Sequence, residues 1–259
     1  MGCHMYKRVV VKIGASILTD ARGQPNEARL AHLAEQVASA MAQRHEVLVV
    51  SSGAIAWGMA RLELTRRPKA LPTLQACAAI GQGALMRSYS HAFAPYGVPV
   101  AQVLLTQADF TDRRRCQNAR HTLRELLKRR AVPVMNENDV VAVEEIAFGD
   151  NDQLSAYIAR LVHAQLLLVL SDVDGLLHQG RVVARVDRLD HRHQAMAMGH
   201  SRETTTGGMA SKLSAARLVT RAGIPMVIAN GATPGILQAV LSGAPVGTFF
   251  TPRRPSHGR

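Results

Sequence analysis

A chain of 259 residues, 47% hydrophobic and 19% charged, has the make-up of an ordinary folded protein, long enough for one large domain or two lobes. Its charge is lopsided, with 31 Lys and Arg against 19 Asp and Glu, and a formal +12 favours anionic ligands through long-range attraction. No apolar run approaches the roughly 18 residues a membrane helix needs, and Cys3, Cys77 and Cys116, odd in number and far apart, argue against a disulfide framework or a zinc site and fit a reducing cytoplasm.

From the N-terminus, residues 1–4 read as a vector remnant, with Met5 as the natural start. The run RVVVKI (8–13) is a buried strand; Leu30, Leu33, Val37 and Met41 then recur at helical spacing behind Asn26, a fitting N-cap. Further strands are predicted at EVLVVS (46–51), VPVAQVLL (98–105), VPVMN (132–136), LLLVLS (166–171) and PMVIAN (225–230). The segment 113–130, RRRCQNARHTLRELLKRR, is an amphipathic helix with Leu123, Leu126 and Leu127 inward. Its basic face reads as solvated, because aromatic residues total 4% and none interleaves with it to stack bases. No specific nucleic-acid partner is expected.

RVVARV (181–186) breaks the rhythm as a short antiparallel excursion, and 207–223 is a helix that opens on glycines and stops at Gly223. Strands alternating with helices imply an α/β fold, a mainly parallel open sheet sandwiched between helical layers. A single domain over 6–250 is expected, with lobes at about 6–165 and 166–250 and a disordered basic tail at 251–259.

In such sheets ligands bind beyond the carboxyl ends of the strands. Small, glycine-rich or polar residues recur there: KIGAS (12–16), SSGAIAWG (51–58), NENDV (136–140) and SDVDG (171–175), with TTTGGMASK (204–212) opening the following helix. Five such turns in register suggest one shared site. Lys12 ends an apolar strand, where an unpartnered ammonium costs several kcal/mol by order of magnitude, so its partner is a carboxylate or a bound phosphate. Gly207 and Gly208 precede a helix carrying Lys212, an arrangement suited to an anion or to a plain turn. No Walker A pattern occurs. Asp150, Asn151 and Asp152 crowd one helix start, either as loop polarity or as groups facing a site.

In order, VVVKIGASIL, VVSSGAIAWG, LLTQADFTDRRRCQNARHTL, PVMNENDVVAVEEIAFGDND, LLLVLSDVDGL and TGGMASKLSAARLVTRAGI closely resemble the motifs of the amino acid kinase family, in its glutamate 5-kinase branch, over roughly residues 8–250. The resemblance implies transfer of the γ-phosphoryl group of ATP, with Mg²⁺, to the side-chain carboxylate of L-glutamate, the first step of proline synthesis in the cytoplasm. It implies that Lys12 and Lys212 contact the transferring group and that Asp152 holds both lysines. Ser52, Gly53, Ala54, Asp139 and Asn151 would bind glutamate. Gly14, Ser171, Asp172 and the stretch Thr206, Gly207, Gly208, Met209 and Lys212 would bind the nucleotide, with Lys12 shared. Inhibition by L-proline and a homo-dimer or tetramer are implied too.

Ala15 stands where the family commonly has threonine, SRETTTGG (201–208) is poorer in glycine than usual, and the chain resembles a form without the C-terminal PUA-type module. Trp57 and Met59 read as packing, and His91, His121, His163 and the HRH run (191–193) have no evident metal partners. Two rivals stand beside this reading. One is a sister kinase acting on N-acetylglutamate, aspartate, carbamate, a nucleoside monophosphate or an isoprenoid phosphate. The other is a silent nucleotide- or RNA-binding protein.

Overall fold

The structure, a computed structural model, describes residues 6–142, 151–198 and 208–253. Its first half comprises β1 (Arg8–Ile13), α1 (Ala15–Leu18), α2 (Glu27–Ala42), β2 (Glu46–Ser51), α3 (Ala54–Arg61), α4 (Leu71–Phe93), β3 (Val100–Leu105), α5 (Gln107–Thr111), α6 (Arg113–Lys128) and β4 (Val132–Glu137). Its second half comprises α7 (Asn151–Leu161), β5 (Leu166–Ser171), β6 (Leu177–His178), β7 (Arg181–Val182), β8 (Arg185–Val186), α8 (His191–Met198), α9 (Met209–Arg221), β9 (Met226–Asn230), α10 (Ile236–Leu241) and β10 (Thr248–Phe250).

Eight strands form one sheet in the order β3-β4-β2-β1-β5-β9-β10-β8. Neighbours run parallel from β3 through to β9; β10 is antiparallel to β9 and parallel to β8. The central strands read as unbroken apolar runs because both faces are covered. Alternation then sorts side chains between two cores. Val9, Val11 and Ile13 pack with α1, α2, α4 and α10, whereas Val10 packs with α6, α7 and α9. Lys12, two residues after Val10, shares the second face.

Asn26 caps α2, its side chain accepting from the Arg29 N–H at 2.9 Å. Helix α3 lies so close to α4 that a Cβ on Gly58 would stand 1.8 Å from the Cys77 carbonyl oxygen, and one on Gly81 1.8 Å from that of Ala54. Trp57 and Cys77 are buried at this crossing.

Several boundaries differ from the sequence expectation. Strands at 98–105 and 225–230 start after Pro99 and Pro225, which lack the N–H a ladder requires. In RVVARV only Arg181–Val182 pairs antiparallel, with β6; Arg185–Val186 returns to the edge of the main sheet beside β10. Thr251 to Arg253 are held rather than loose, since Thr251 N donates to Val186 O at 3.0 Å and Arg253 N to Thr220 O at 2.9 Å. The rest of the expected tail and residues 1–4 lie outside the described residues. No helix among the described residues is long and apolar enough to cross a membrane.

Candidate active site

The strand register brings the five turns together. Ile13 at the end of β1 is level with Ser51 of β2 and Leu170 of β5, Ser171 with Asn230 of β9, and Leu105 of β3 with Glu137 of β4. Above this line open the first turns of α3, α7 and α9.

Lys12, Asp152 and Lys212 meet there, all buried. Asp152 is fully buried and receives Lys12 Nζ at 2.6 Å on Oδ1 and Lys212 Nζ at 3.1 Å on Oδ2. Period-two alternation sends Lys12 toward α7, Asp152 is the second residue of α7, and Lys212 is the fourth of α9. One carboxylate therefore fixes two ammonium groups that come from elements far apart in sequence. Such charge-assisted contacts are strong where water is excluded.

Beside this trio lies a chain of amides. Asn151 Nδ2 donates to Ser51 O at 2.8 Å, to Ser52 Oγ at 3.2 Å and to Asn136 Oδ1 at 2.7 Å. Asn136 Nδ2 donates in turn to Gln82 Oε1 at 2.8 Å. The Ser51 hydroxyl and the Tyr89 phenol lie 3.0 Å apart, within hydrogen-bonding distance. Burial raises the Tyr89 phenol far above its ordinary range, which keeps it neutral. Gly53, at φ +99°, turns the chain from β2 into α3 in a conformation that favours glycine, and Ala54 is buried behind it.

Asp139 stands half-buried in the turn after β4. Burial pushes its carboxyl up to about 6, the Glu137 carboxylate adds to the rise, and the Arg67 guanidinium opposes it. A carboxyl so placed switches charge near neutrality.

On the β5 side, Gly14 N donates to Leu170 O at 3.0 Å, closing the first turn over the sheet. The Ser171 hydroxyl donates to Asp172 Oδ1 at 3.1 Å, and Asn230 Nδ2 to Asp174 Oδ1 at 2.9 Å. Gly208 caps α9 without a side-chain hydrogen bond, and Met209 is its first residue. Helix N-termini of this kind direct backbone N–H groups toward an anion. Asp150, Thr206, Gly207 and the unusual run 201–207 lie outside the described residues.

The sequence reading missed Asn136, Gln82, Tyr89, Glu137 and Arg67. Asn136 and Glu137 sit inside the noted NENDV run, and their strand-end position was the available signal. Gln82 and Tyr89 come from α4, whose sequence offers no local clue. Among the described residues no three His, Cys, Asp or Glu side chains gather to hold a metal ion. The HRH run instead places His193 Nδ1 2.6 Å from Asp190 Oδ1.

The sequence profile of the amino acid kinase family matches residues 7–230. The chain is 50% identical to the glutamate 5-kinase of Thermus thermophilus, covering 97% of this chain and 69% of that protein. It is 43% identical to the glutamate 5-kinase of Clostridium tetani, with 94% of each covered. In fold it is similar to the crystal structure of UMP kinase from Bacillus anthracis, at a TM-score of 0.62 and 18% identity over 96% of this chain and 97% of that one.

Proposed function

This chain belongs to the amino acid kinase family, and we propose that it phosphorylates the side-chain carboxylate of L-glutamate with ATP, yielding glutamyl 5-phosphate and ADP. The observation that carries the reaction is the Lys12–Asp152–Lys212 trio, with contacts of 2.6 and 3.1 Å at the strand ends. The likeness to glutamate 5-kinases over nearly all of this chain carries the substrate, against the sister acceptors and the silent reading.

A carboxylate oxygen of glutamate attacks the γ-phosphorus as the bond to the β,γ-bridging oxygen breaks, and the electron pair leaves with ADP. Glutamate's side chain, with a reference pKa of about 4.3, is ionised near neutrality and requires no general base. Catalysis then rests on positioning and on stabilising charge at the equatorial oxygens. Lys12 and Lys212 supply that charge, and Asp152 fixes where their ammonium groups stand. Asn151, Ser52, Gly53, Ala54 and Asp139 hold the acceptor; Asn136 holds Asn151, and Gln82 holds Asn136. Gly14, Ser171 and Asp172 hold the nucleotide together with Gly208 and Met209 at the start of α9 and with Thr206 and Gly207, which precede them in the sequence.

ATP enters with its divalent cation, Mg²⁺. With no carboxylate cage among the described residues, the phosphates and one or two side chains suit the donor set this ion usually takes. Competition by L-proline at the glutamate pocket, and a dimer or tetramer, belong to the same reading.

Hydroxylamine trapping with MgATP and a panel of glutamate, aspartate, N-acetylglutamate and carbamate tests it. Hydroxamate from glutamate alone is expected. Turnover with another acceptor, and none with glutamate, would overturn the substrate.

A further inference from the structure

The positive charge is not spread evenly. The helical layer of α6, α7 and α9 carries most of it: α6 sets Arg113, Arg114, Arg115, Arg120, Arg124 and Lys128 against one acid, Glu125, and α9 has no acid at all. Along this layer a concavity of about 430 Å³ runs between α7 and α9, from Gln153 near the N-terminal end of α7 and Ser214 midway along α9 to Arg221 and Ala222 at the C-terminal end of α9. Gln153, Tyr157 and Arg160 line it from α7, at helical spacing; Ser214, Arg217, Leu218 and Arg221 line it from α9. A second concavity of about 560 Å³, toward α6, shares Tyr157, Arg160 and Ala222 with the first, so the two form one continuous groove.

Three guanidinium groups facing one hollow repel one another unless an anion joins them. Neither concavity has an acidic residue in its lining among the described residues. Among the described residues Arg160, Arg217 and Arg221 form no ion pair, although exposed arginines elsewhere do: Arg129 with Glu125 at 3.0 Å and Arg185 with Asp187 at 2.7 Å. The hollow also has what an organic anion requires besides charge: the Ser214 hydroxyl and Gln153 amide as hydrogen-bonding groups, and Leu218 and Tyr157 as apolar walls. Its volume falls in the range of small-molecule sites.

We propose that this groove is a second anion site, separate from the candidate active site, which takes a small ligand bearing two or more linked phosphates. Arg160 approaches it from α7 and Arg217 and Arg221 from α9, and guanidinium forks match phosphate oxygens in planar, bidentate fashion. The bound ligand ties together the two helices whose first turns carry Asp152 and Lys212. The site stands whatever reaction the strand ends perform.

Calorimetric titration of the full chain with inorganic pyrophosphate, without Mg²⁺ and at two salt concentrations, tests it, with ADP titrated in parallel. The double variant Arg217→Gln/Arg221→Gln removes the groove charge. Arg113→Gln/Arg114→Gln removes equal charge from the same layer at the start of α6. Lys212→Ala removes the phosphoryl contact of the active site. Affinity is expected to fall about tenfold or more in the groove variant, to change less than twofold in the α6 control, and to persist in Lys212→Ala. The groove variant's kinase turnover is expected within twofold of the parent, which certifies its fold. Equal losses in the groove and α6 variants would reduce the effect to general charge attraction and overturn the site. So would binding lost only in Lys212→Ala, or binding undiminished in the groove variant. With groove binding established, the ADP binding that is lost in the groove variant, which leaves the active site's own nucleotide binding in place, identifies a nucleotide as the occupant where it is tighter than pyrophosphate, and a free oligophosphate where the two are equal.

Discussion

Asp152→Asn keeps the volume of the side chain and removes its charge. In the parent, Asp152 is fully buried, with Lys12 Nζ at 2.6 Å and Lys212 Nζ at 3.1 Å. An amide offers one oxygen and one NH₂ group, so it can accept from one lysine while presenting donors to the other. Two ammonium groups then repel across a site that no longer sets their spacing. Breaking a buried ion pair by removing one partner costs about 3–5 kcal/mol, and the unliganded variant is expected to lose stability on that order. ATP brings its own negative charge to the lysines, so MgATP should raise the melting temperature of the variant more than that of the parent. The chemical step does not recover in the same way, because the lysines must be placed before the phosphoryl group moves. Loss of one preorganised contact of this kind removes about 2.7–4 kcal/mol of barrier lowering, or roughly 10²–10³-fold in kcat. The KM for glutamate should stay within a few-fold, since Asn151, Ser52 and Asn136 remain bonded to one another. Steady-state hydroxamate assays and thermal melts with and without MgATP measure both effects. Turnover within threefold of the parent would refute the positioning role; a raised glutamate KM with unchanged kcat would move Asp152 to acceptor binding.

Lys12→Ala and Lys212→Ala should each slow turnover by about 10²–10³-fold in the same assay, since each deletes charge at the transferring group. Asp139, with its carboxyl at about 6 against an ordinary 3.8, favours the folded state at low pH, an advantage present below pH 3.8 and lost as pH rises through about 6. Acceptor binding runs the other way: kcat/KM for glutamate should fall as pH drops through about 6, and Glu137→Gln should shift that limb to lower pH by removing a like charge. Gln82→Met removes the acceptor of Asn136 in nearly the same volume, and should raise the glutamate KM about five- to thirtyfold, for about 1–2 kcal/mol, with the ATP KM unchanged. Gly58→Ala should lower the urea midpoint, by 1–3 kcal/mol or more in stability, because its Cβ meets the Cys77 backbone at 1.8 Å. Gly83→Ala, on the exposed side of α4 with nothing among the described residues within 4 Å, should instead gain about 0.5–1 kcal/mol.

Strand runs at 8–13, 46–51 and 166–171 were readable to the residue because buried parallel strands have no polar face to blur the pattern. The edge was not readable. Thr248–Phe250 and Arg185–Val186 are too short to show a period, and their pairing is fixed by distant partners. The same division holds in the site. Lys12, Asp152 and Lys212 announce themselves locally, as charges where an apolar strand or helix start has no ordinary use for one. Gln82 and Tyr89 do not, because each occupies an inward position of α4 that a core residue would fill equally well, and their roles depend on which strand end α4 lies against.

That dependence follows from parity. Lys12 is the fifth residue of β1 and points into the α7–α9 layer with Val10; Ser51, the last residue of β2, lies within hydrogen-bonding distance of Tyr89 in α4, on the opposite layer. Adjacent strand ends of opposite parity thus divide the crevice into a cationic side and an amide-lined side. Asn151 and Asp152, consecutive at the start of α7, are the pair that spans both: Asp152 faces the lysines, and Asn151 reaches back to Ser51, Ser52 and Asn136. Inserting one residue between them would leave α7, and Asp152 with it, held by its buried Leu154, Ile158 and Ala159, and would turn Asn151 by about 100° about the helix axis, away from its partners. A phosphoryl site left intact beside a broken acceptor site is therefore the expected phenotype: ADP still bound in calorimetry, and glutamate no longer bound. Loss of both together would mean that the two sides are not separately built.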